Sequence, residues 1–172
     1  MSVRPILIAP DPRLKLVSEP VAGVDDQIRT LIADMIETMY DADGIGLAAI
    51  QVGVARRVIV LDVAQKEGSR NPRVFINPVI SWRSEATAVM EEGCLSVPEI
   101  WDEVERSQAI KAQYLDSQGV PQSLEAEGIL AVCLQHEMDH LNGVLFVDHL
   151  SKLKRSMALK KLAKAKKLKK AG

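Results

Sequence analysis

The 172-residue chain has three histidines, and two of them, His136 and His140, stand four apart with Glu137 beside the first. On a helix, positions i and i+4 lie on one face a single turn apart, so both imidazoles can reach one metal ion. Glu137 sits about 100° further around, where a carboxylate can approach a metal-held water without ligating. This is the H-E-x-x-H arrangement of metallohydrolases. A catalytic site needs a third protein ligand and an open position. The metzincin pattern does not supply it: Gly143 falls in register, but Phe146 stands where the third His belongs and His149 comes three residues later. His149 is therefore expected in a structural or surface role.

Two cysteines are available. Cys133 precedes His136 by three residues, but Cys133 to His140 spans about 10.5 Å of helical rise at ~1.5 Å per residue. Three successive turns do not converge easily on one ion with bonds of ~2.0–2.3 Å. Cys133 reads better as a small apolar residue beside the site. Cys94, in Glu91-Glu-Gly-Cys-Leu-Ser-Val-Pro98, follows a glycine that permits an unusual backbone. Its thiolate can complete the triad, or the residue can be an ordinary buried cysteine; local chemistry leaves both open.

These residues need elements to carry them. Gly128 to Asn142 predicts a helix bearing the histidines, with Gly143 suited to its end. Ile28, Leu31, Ile32, Met35, Ile36, Met39 and Tyr40 repeat at helical spacing, with Asp25 or Asp26 able to cap and Asp43-Gly44 to terminate. Val58–Val63 and Val74–Asn77 predict strands joined by a hairpin-type loop over 65–73. Glu103–Asp116 predicts one or two more strands, and Ser117–Pro121 a turn. Gly44-Ile-Gly-Leu-Ala-Ala-Ile-Gln51 combines turn formers and small residues, a sign of backbone closely approached by something. Strands and helices segregate, so the expected class is α+β.

Composition narrows the field. Hydrophobic residues are 47% and charged residues 26%, enough to bury an aliphatic core and to exclude disorder as the main state. Aromatics at 3% leave few rings for stacking on single-stranded nucleic acid. No apolar run approaches the ~20 residues of a membrane span, and the first residues lack a signal-peptide pattern, so a cytoplasmic protein is expected. The net charge of −1 conceals a split: residues 151–172 hold ten Lys/Arg and no acid, leaving 12 basic against 23 acidic residues in 1–150. A basic tail on an acidic body suggests an anionic partner.

Three segments, Gly44-Ile-Gly-Leu-Ala-Ala-Ile-Gln51, Glu92-Gly-Cys-Leu-Ser96 and Gln135-His-Glu-Met-Asp-His140, together resemble the peptide deformylase family in order and separation. The resemblance covers nearly the whole chain. It implies small antiparallel sheets packed around a central HExxH helix, with an amphipathic helix in the N-terminal half and a basic C-terminal helix. A catalytic domain over 1–150 and an extension over 151–172 follow. It implies hydrolysis of the formyl group from the N-terminal formyl-methionine of new polypeptides. Cys94, His136 and His140 would be the ligands, with Fe²⁺ favoured and Zn²⁺, Ni²⁺ or Co²⁺ as replacements. Glu137 would be the acid/base, and Gln51 with the backbone N–H of Leu95 would hold the carbonyl oxygen. Gly44, Ile45 and Gly46 would pair with the substrate backbone. Val132, Cys133, Ile45 and Leu130 are candidates for the methionine slot, with Glu92 and Gly93 also counted as substrate-binding. Some deformylases carry Arg or Tyr where this chain has Trp101, so the substrate entrance differs.

The tail favours a helix. Leu150, Leu153, Met157 and Leu168 share one face, and Leu159 and Leu162 point away from it. The proximal part is expected to dock and the distal part to remain free. A bacterial, monomeric, cytoplasmic enzyme with an electrostatic contact to ribosomal RNA and none to membrane is the resulting expectation.

Overall fold

A run of four apolar residues with no alternation, Val58-Ile-Val-Leu61, is buried at every position. Such a strand must have both faces covered. The computed structural model, which describes residues 1–171, places it as β2 (Val58–Leu61) between two helices. Val58 and Val60 face α1 (Asp26–Asp41), packing with Leu31, Ile32, Met35 and Met39. Ile59 and Leu61 face α2 (Gly128–Leu141), packing with Ala131, Leu134, Met138 and Leu141.

The remaining strands are β1 (Gly46–Ala48), β3 (Arg73–Arg83), β4 (Thr87–Cys94), β5 (Val97–Ser107), β6 (Ala109–Leu115) and β7 (Pro121–Glu127). Five form an antiparallel sheet in the order β1-β2-β3-β6-β7, and β4 with β5 forms a separate hairpin. The fold is the expected α+β arrangement, small antiparallel sheets around α2. β1 is an edge strand of the larger sheet. The chain departs from the sequence reading in length and number of strands. β3 extends six residues beyond Asn77, and β4 and β7 occupy stretches for which the sequence predicts no element.

Both ends of α1 and the C-terminal end of α2 have a visible cause. Asp25 caps α1 by accepting from Ile28 N–H at 3.0 Å, and Asp43 just beyond it turns at φ +55°. Gly143 after α2 has φ +75°, a conformation that favours glycine. There, an added Cβ would lie 2.3 Å from the Lys15 carbonyl oxygen.

The basic tail is α3 (Lys152–Ala171), and the face that docks is the one carrying Ala158 and Leu162. They join Val97, Ile100 and Val104 of β5 and Phe146 and Val147 in a third core cluster. Leu153, Met157 and Leu168 point to solvent. Arg155 pairs with Asp148 at 2.9 Å and Lys154 with Asp102 at 3.2 Å.

Candidate active site

α2 is apolar on nearly all sides, so it is buried, and with it His136, Glu137 and His140. The two rings stand edge to face with centroids 5.1 Å apart. Opposite them, β4 and β5 join through the two-residue turn Leu95-Ser96, with Cys94 paired to Val97. The hairpin tip thus delivers the Cys94 thiol, whose Sγ lies 3.3 Å from His140 Nε2. One donor atom each from Cys94, His136 and His140 lies within 4.8 Å of the others. Bonds of about 2.0–2.3 Å put neighbouring donors on one ion roughly 3–4 Å apart, so the three residues fit a single metal ion. Cys133 is outside this group, as the rise along the helix requires; it lines the adjoining cavity.

The histidines are prepared electronically. Glu92 is acceptor-only when ionised, so the 2.8 Å contact to Oε1 makes His136 Nδ1 a protonated donor and Nε2 the nitrogen available to a metal. Burial works against a charged Glu92, but His136 and Arg106 outweigh it and hold its carboxyl below the ordinary value. Arg106 grips the carboxylate with two bonds, Nε to Oε2 at 2.7 Å and Nη2 to Oε1 at 2.9 Å. Burial pushes His140 well below its ordinary pKa, keeping it neutral, the form a metal requires.

Glu137 has a different environment. Its Oε2 is buried without a hydrogen-bond partner, and burial pushes its carboxyl up to about 7. The oxygen Oε1 comes so close to β1 that a Cβ on Gly46 would lie 2.7 Å from it. Glycine there is a steric requirement of the carboxylate.

Gln51 lies in a 3₁₀ turn (Ala49–Val52) after β1 and is buried. Its Oε1 accepts from Ala48 N–H at 2.9 Å, which decides the amide's orientation. The Nε2 end donates to Ser96 Oγ at 3.0 Å and lies 3.5 Å from Cys94 Sγ. The amide N–H groups therefore face the thiol and the hairpin turn.

A cavity of about 400 Å³ opens beside the triad. Gly44, Ile45, Gly46, Glu92, Gly93, Leu95, Val132 and Cys133 all line it, together with His136, Glu137 and Cys94. Leu130 does not; it packs against the core cluster under the sheet. Glu92 contributes to the wall, but its carboxylate is committed to His136 and Arg106, so its polar role is to hold a histidine rather than to meet substrate. Trp101 stands at the cavity, 65% exposed, flat enough on Gly93 that a Cβ there would meet three ring carbons at 2.5–2.7 Å. Met90, Ile129, Ala42 and Pro98 add to the apolar lining.

Arg106 and Asp139 escaped the sequence reading. Arg106 sits in an alternating stretch where an exposed Arg looks the same. Asp139 was visible only as part of the histidine motif, three residues after His136 and so on its side of the helix.

Residues 3–156 match the family model for polypeptide deformylase. A peptide deformylase of Rhizorhabdus wittichii is 59% identical over 99% of both chains. One from Brucella suis is 55% identical, covering 95% of this chain and 94% of its own. Among solved structures, a Legionella pneumophila peptide deformylase superposes with a TM-score of 0.93 at 46% identity over 99% of each chain. An Ehrlichia chaffeensis peptide deformylase in complex with actinonin does so with 0.92 at 48% identity, covering 96% and 98%. With a cysteine and two histidines gathered beside a buried glutamate, and with likeness along nearly its full length, the chain belongs to the polypeptide deformylase family.

Proposed function

We propose how this metal-dependent hydrolase removes the formyl group from the N-terminus of new polypeptides. The observation that carries the reading is the convergence of Cys94, His136 and His140 beside a cavity lined by Cys94, His136 and Glu137, with Glu137 Oε2 buried and unpartnered. Cys94, His136 and His140 hold one divalent ion, Fe²⁺ in the cell and replaceable by Zn²⁺, Ni²⁺ or Co²⁺, which the mixed sulfur and imidazole donors suit. A bound ion supplies the acidification of water that makes hydroxide available near neutral pH.

The chain's own groups do the rest. Glu137 accepts the proton from the attacking water and later delivers it to the departing amine nitrogen. Gln51 Nε2 and the Leu95 backbone N–H are neutral donors, fixed before reaction, for the oxygen that becomes negative on attack. Gly44, Ile45 and Gly46 lie at and just before the free edge of β1, where an extended peptide adds as a further strand. The methionine side chain lies along Val132, Cys133 and Ile45. Formate and a free N-terminal methionine leave.

Formate release from formyl-Met-Ala, with and without a chelator, tests the reading. Turnover is expected only with metal and only on the formylated substrate. Metal analysis tests the ligand set: Cys94→Ser should lose most of its metal and Cys133→Ser should keep it. The reverse pattern would sink the assignment.

A second reading concerns residues 151–172 as an extension of a catalytic domain over 1–150. Their basic surface is proposed to contact ribosomal RNA where new chains emerge, as a monomer in the bacterial cytoplasm and not on a membrane. Among the described residues no helix is long and apolar enough to span a bilayer. Binding to ribosomes should fall steeply with salt, because phosphate contacts release counterions. Salt-independent cosedimentation would count against it.

A further inference from the structure

His149 is surplus to the catalytic scheme, yet it is not isolated. Its Nε2–H donates to Asp139 Oδ2 at 2.8 Å. The same carboxylate oxygen accepts from Arg106 Nη1 at 2.9 Å. Arg106 turns its other two nitrogens, Nε and Nη2, on Glu92, and Glu92 accepts from His136 Nδ1. Side-chain exposure falls along this line from 39% at His149 through 26% at Asp139 to 5% at Arg106 and Glu92 and 8% at His136. A continuous series of hydrogen bonds runs from solvent to the imidazole beside Cys94.

We propose that His149 is a positioning residue for His136, acting through Asp139, Arg106 and Glu92. The proposal rests on His136 being a metal ligand. Arg106 is buried between two carboxylates, and its guanidinium plane is set by both. Glu92 is held by Arg106 from one side only, so any drift of Arg106 is passed to the bond that orients the His136 ring. Phe146, stacked on that ring with centroids 6.1 Å apart, limits tilt but offers no polar anchor. Asp139 is the weak link, being partly open to water. His149 occupies the position from which water would otherwise compete for Oδ2. Among the described residues, the ion pairs of Asp139 are those with Arg106 and His149.

Groups that bond directly to a metal-bound histidine typically alter metal affinity by 10–100-fold when removed. His149 stands three links further out, so a smaller effect, about 3–10-fold, is expected. The test is zinc transfer from the loaded enzyme to a chromophoric chelator. His149→Phe keeps an aromatic ring but no donor, and it should release zinc about 3–10-fold faster. His149→Gln keeps a side-chain N–H and should return the rate to within about twofold of the parent. The His136 Nδ1–H resonance should shift in the Phe variant and return in the Gln variant, a signature that simple loss of stability does not produce. Zinc release from His149→Phe at the parent rate, or equally fast release from both variants, would overturn the proposal. Cys94→Ser is run alongside: if it binds zinc like the parent, the ligand assignment itself fails, whereas its loss of zinc beside an unaffected His149→Phe removes only the relay.

Discussion

Helices α2 and α3 invert one another. α2 is apolar around nearly its whole circumference and buried, and the few polar side chains it carries inside are Gln135, His136, Glu137 and His140. α3 carries ten basic residues, and its few apolar ones divide between a docked face and an open one. In α2 each buried polar group carries a desolvation cost, so its presence needs a partner or a reaction. Gln135 has partners: Arg83, Ser107 O and Ala131 O. Glu137 Oε2 and His140 Nδ1 have none; His140 is assigned to the metal, and Glu137 Oε2 is where the reaction is assigned. In α3 the charges are at home in water and call for no explanation. There the exposed Leu153, Met157 and Leu168 are the residues out of place. Helices of opposite composition are read by opposite exceptions.

The sharpest way to break this contrast is to neutralise the unpartnered carboxylate in α2. Glu137→Gln preserves shape and burial but cannot accept a proton. It should keep its metal and lose activity by at least about 10²–10⁴-fold, the usual scale of general acid–base catalysis. Steady-state formate release with metal quantified on the same sample checks it. Near-parental turnover would mean that the orphaned carboxylate is only tolerated.

The histidine pair and the amphipathic α1 were legible because both depend on spacing along one helix. The doubly covered β2 was legible as a continuous apolar run. β7 was not: only Leu124 and Ala126 turn inward from an otherwise polar edge strand that begins at Pro121. β4 was missed for a related reason, since its outer residues are largely exposed and Glu92, the buried one, reads as a surface acid. Glu92 is buried because Arg106, fourteen residues away, and His136, forty-four away, converge on it. Such convergence is a product of folding and leaves no local periodicity. The docked face of α3 is a further case: Ala158 is too small to stand out, and Leu162 joins a cluster assembled from β5, the segment after α2 and N-terminal Ala9 and Leu14.

The two faces of α3 can be compared directly. Leu162 is 5% exposed and Leu153 is 70% exposed. Leu162→Ala should cost about 2–3 kcal/mol, toward the lower end for a buried leucine at the margin of the molecule. Leu153→Ala should fall within about 0.5 kcal/mol of the parent. Denaturant titrations of the metal-loaded proteins measure both. Equal losses would mean that the open face is covered in solution, and the division of α3 into docked and open faces would have to be redrawn.

The smallest expected effect lies at the seam between the body and α3. Asp148 accepts from Lys15 Nζ at 2.8 Å, Arg155 Nε at 2.9 Å and the Leu145 N–H at 2.9 Å. Partial burial works against its charge, but these donors prevail and hold its carboxyl below the usual aspartate range. The folded state then binds fewer protons than the unfolded chain between the two pKa values, so stability rises with pH there. The contribution is fully present above the unfolded value of ~3.9 and disappears as pH falls through the lower folded one. Asp148→Asn removes the titration while keeping the size. It should be slightly less stable than the parent at pH 7 and converge with it below about pH 3, where the parent aspartate is itself becoming neutral. Because Lys15 and Arg155 are partly exposed, the gap at neutral pH should also narrow in high salt. Thermal melts of both proteins from pH 3 to 7 test this. A gap that stays constant across that range would assign the role of Asp148 to packing and to its bond with the Leu145 N–H, and would leave α3 attached to the body by its apolar face and the Lys154–Asp102 pair.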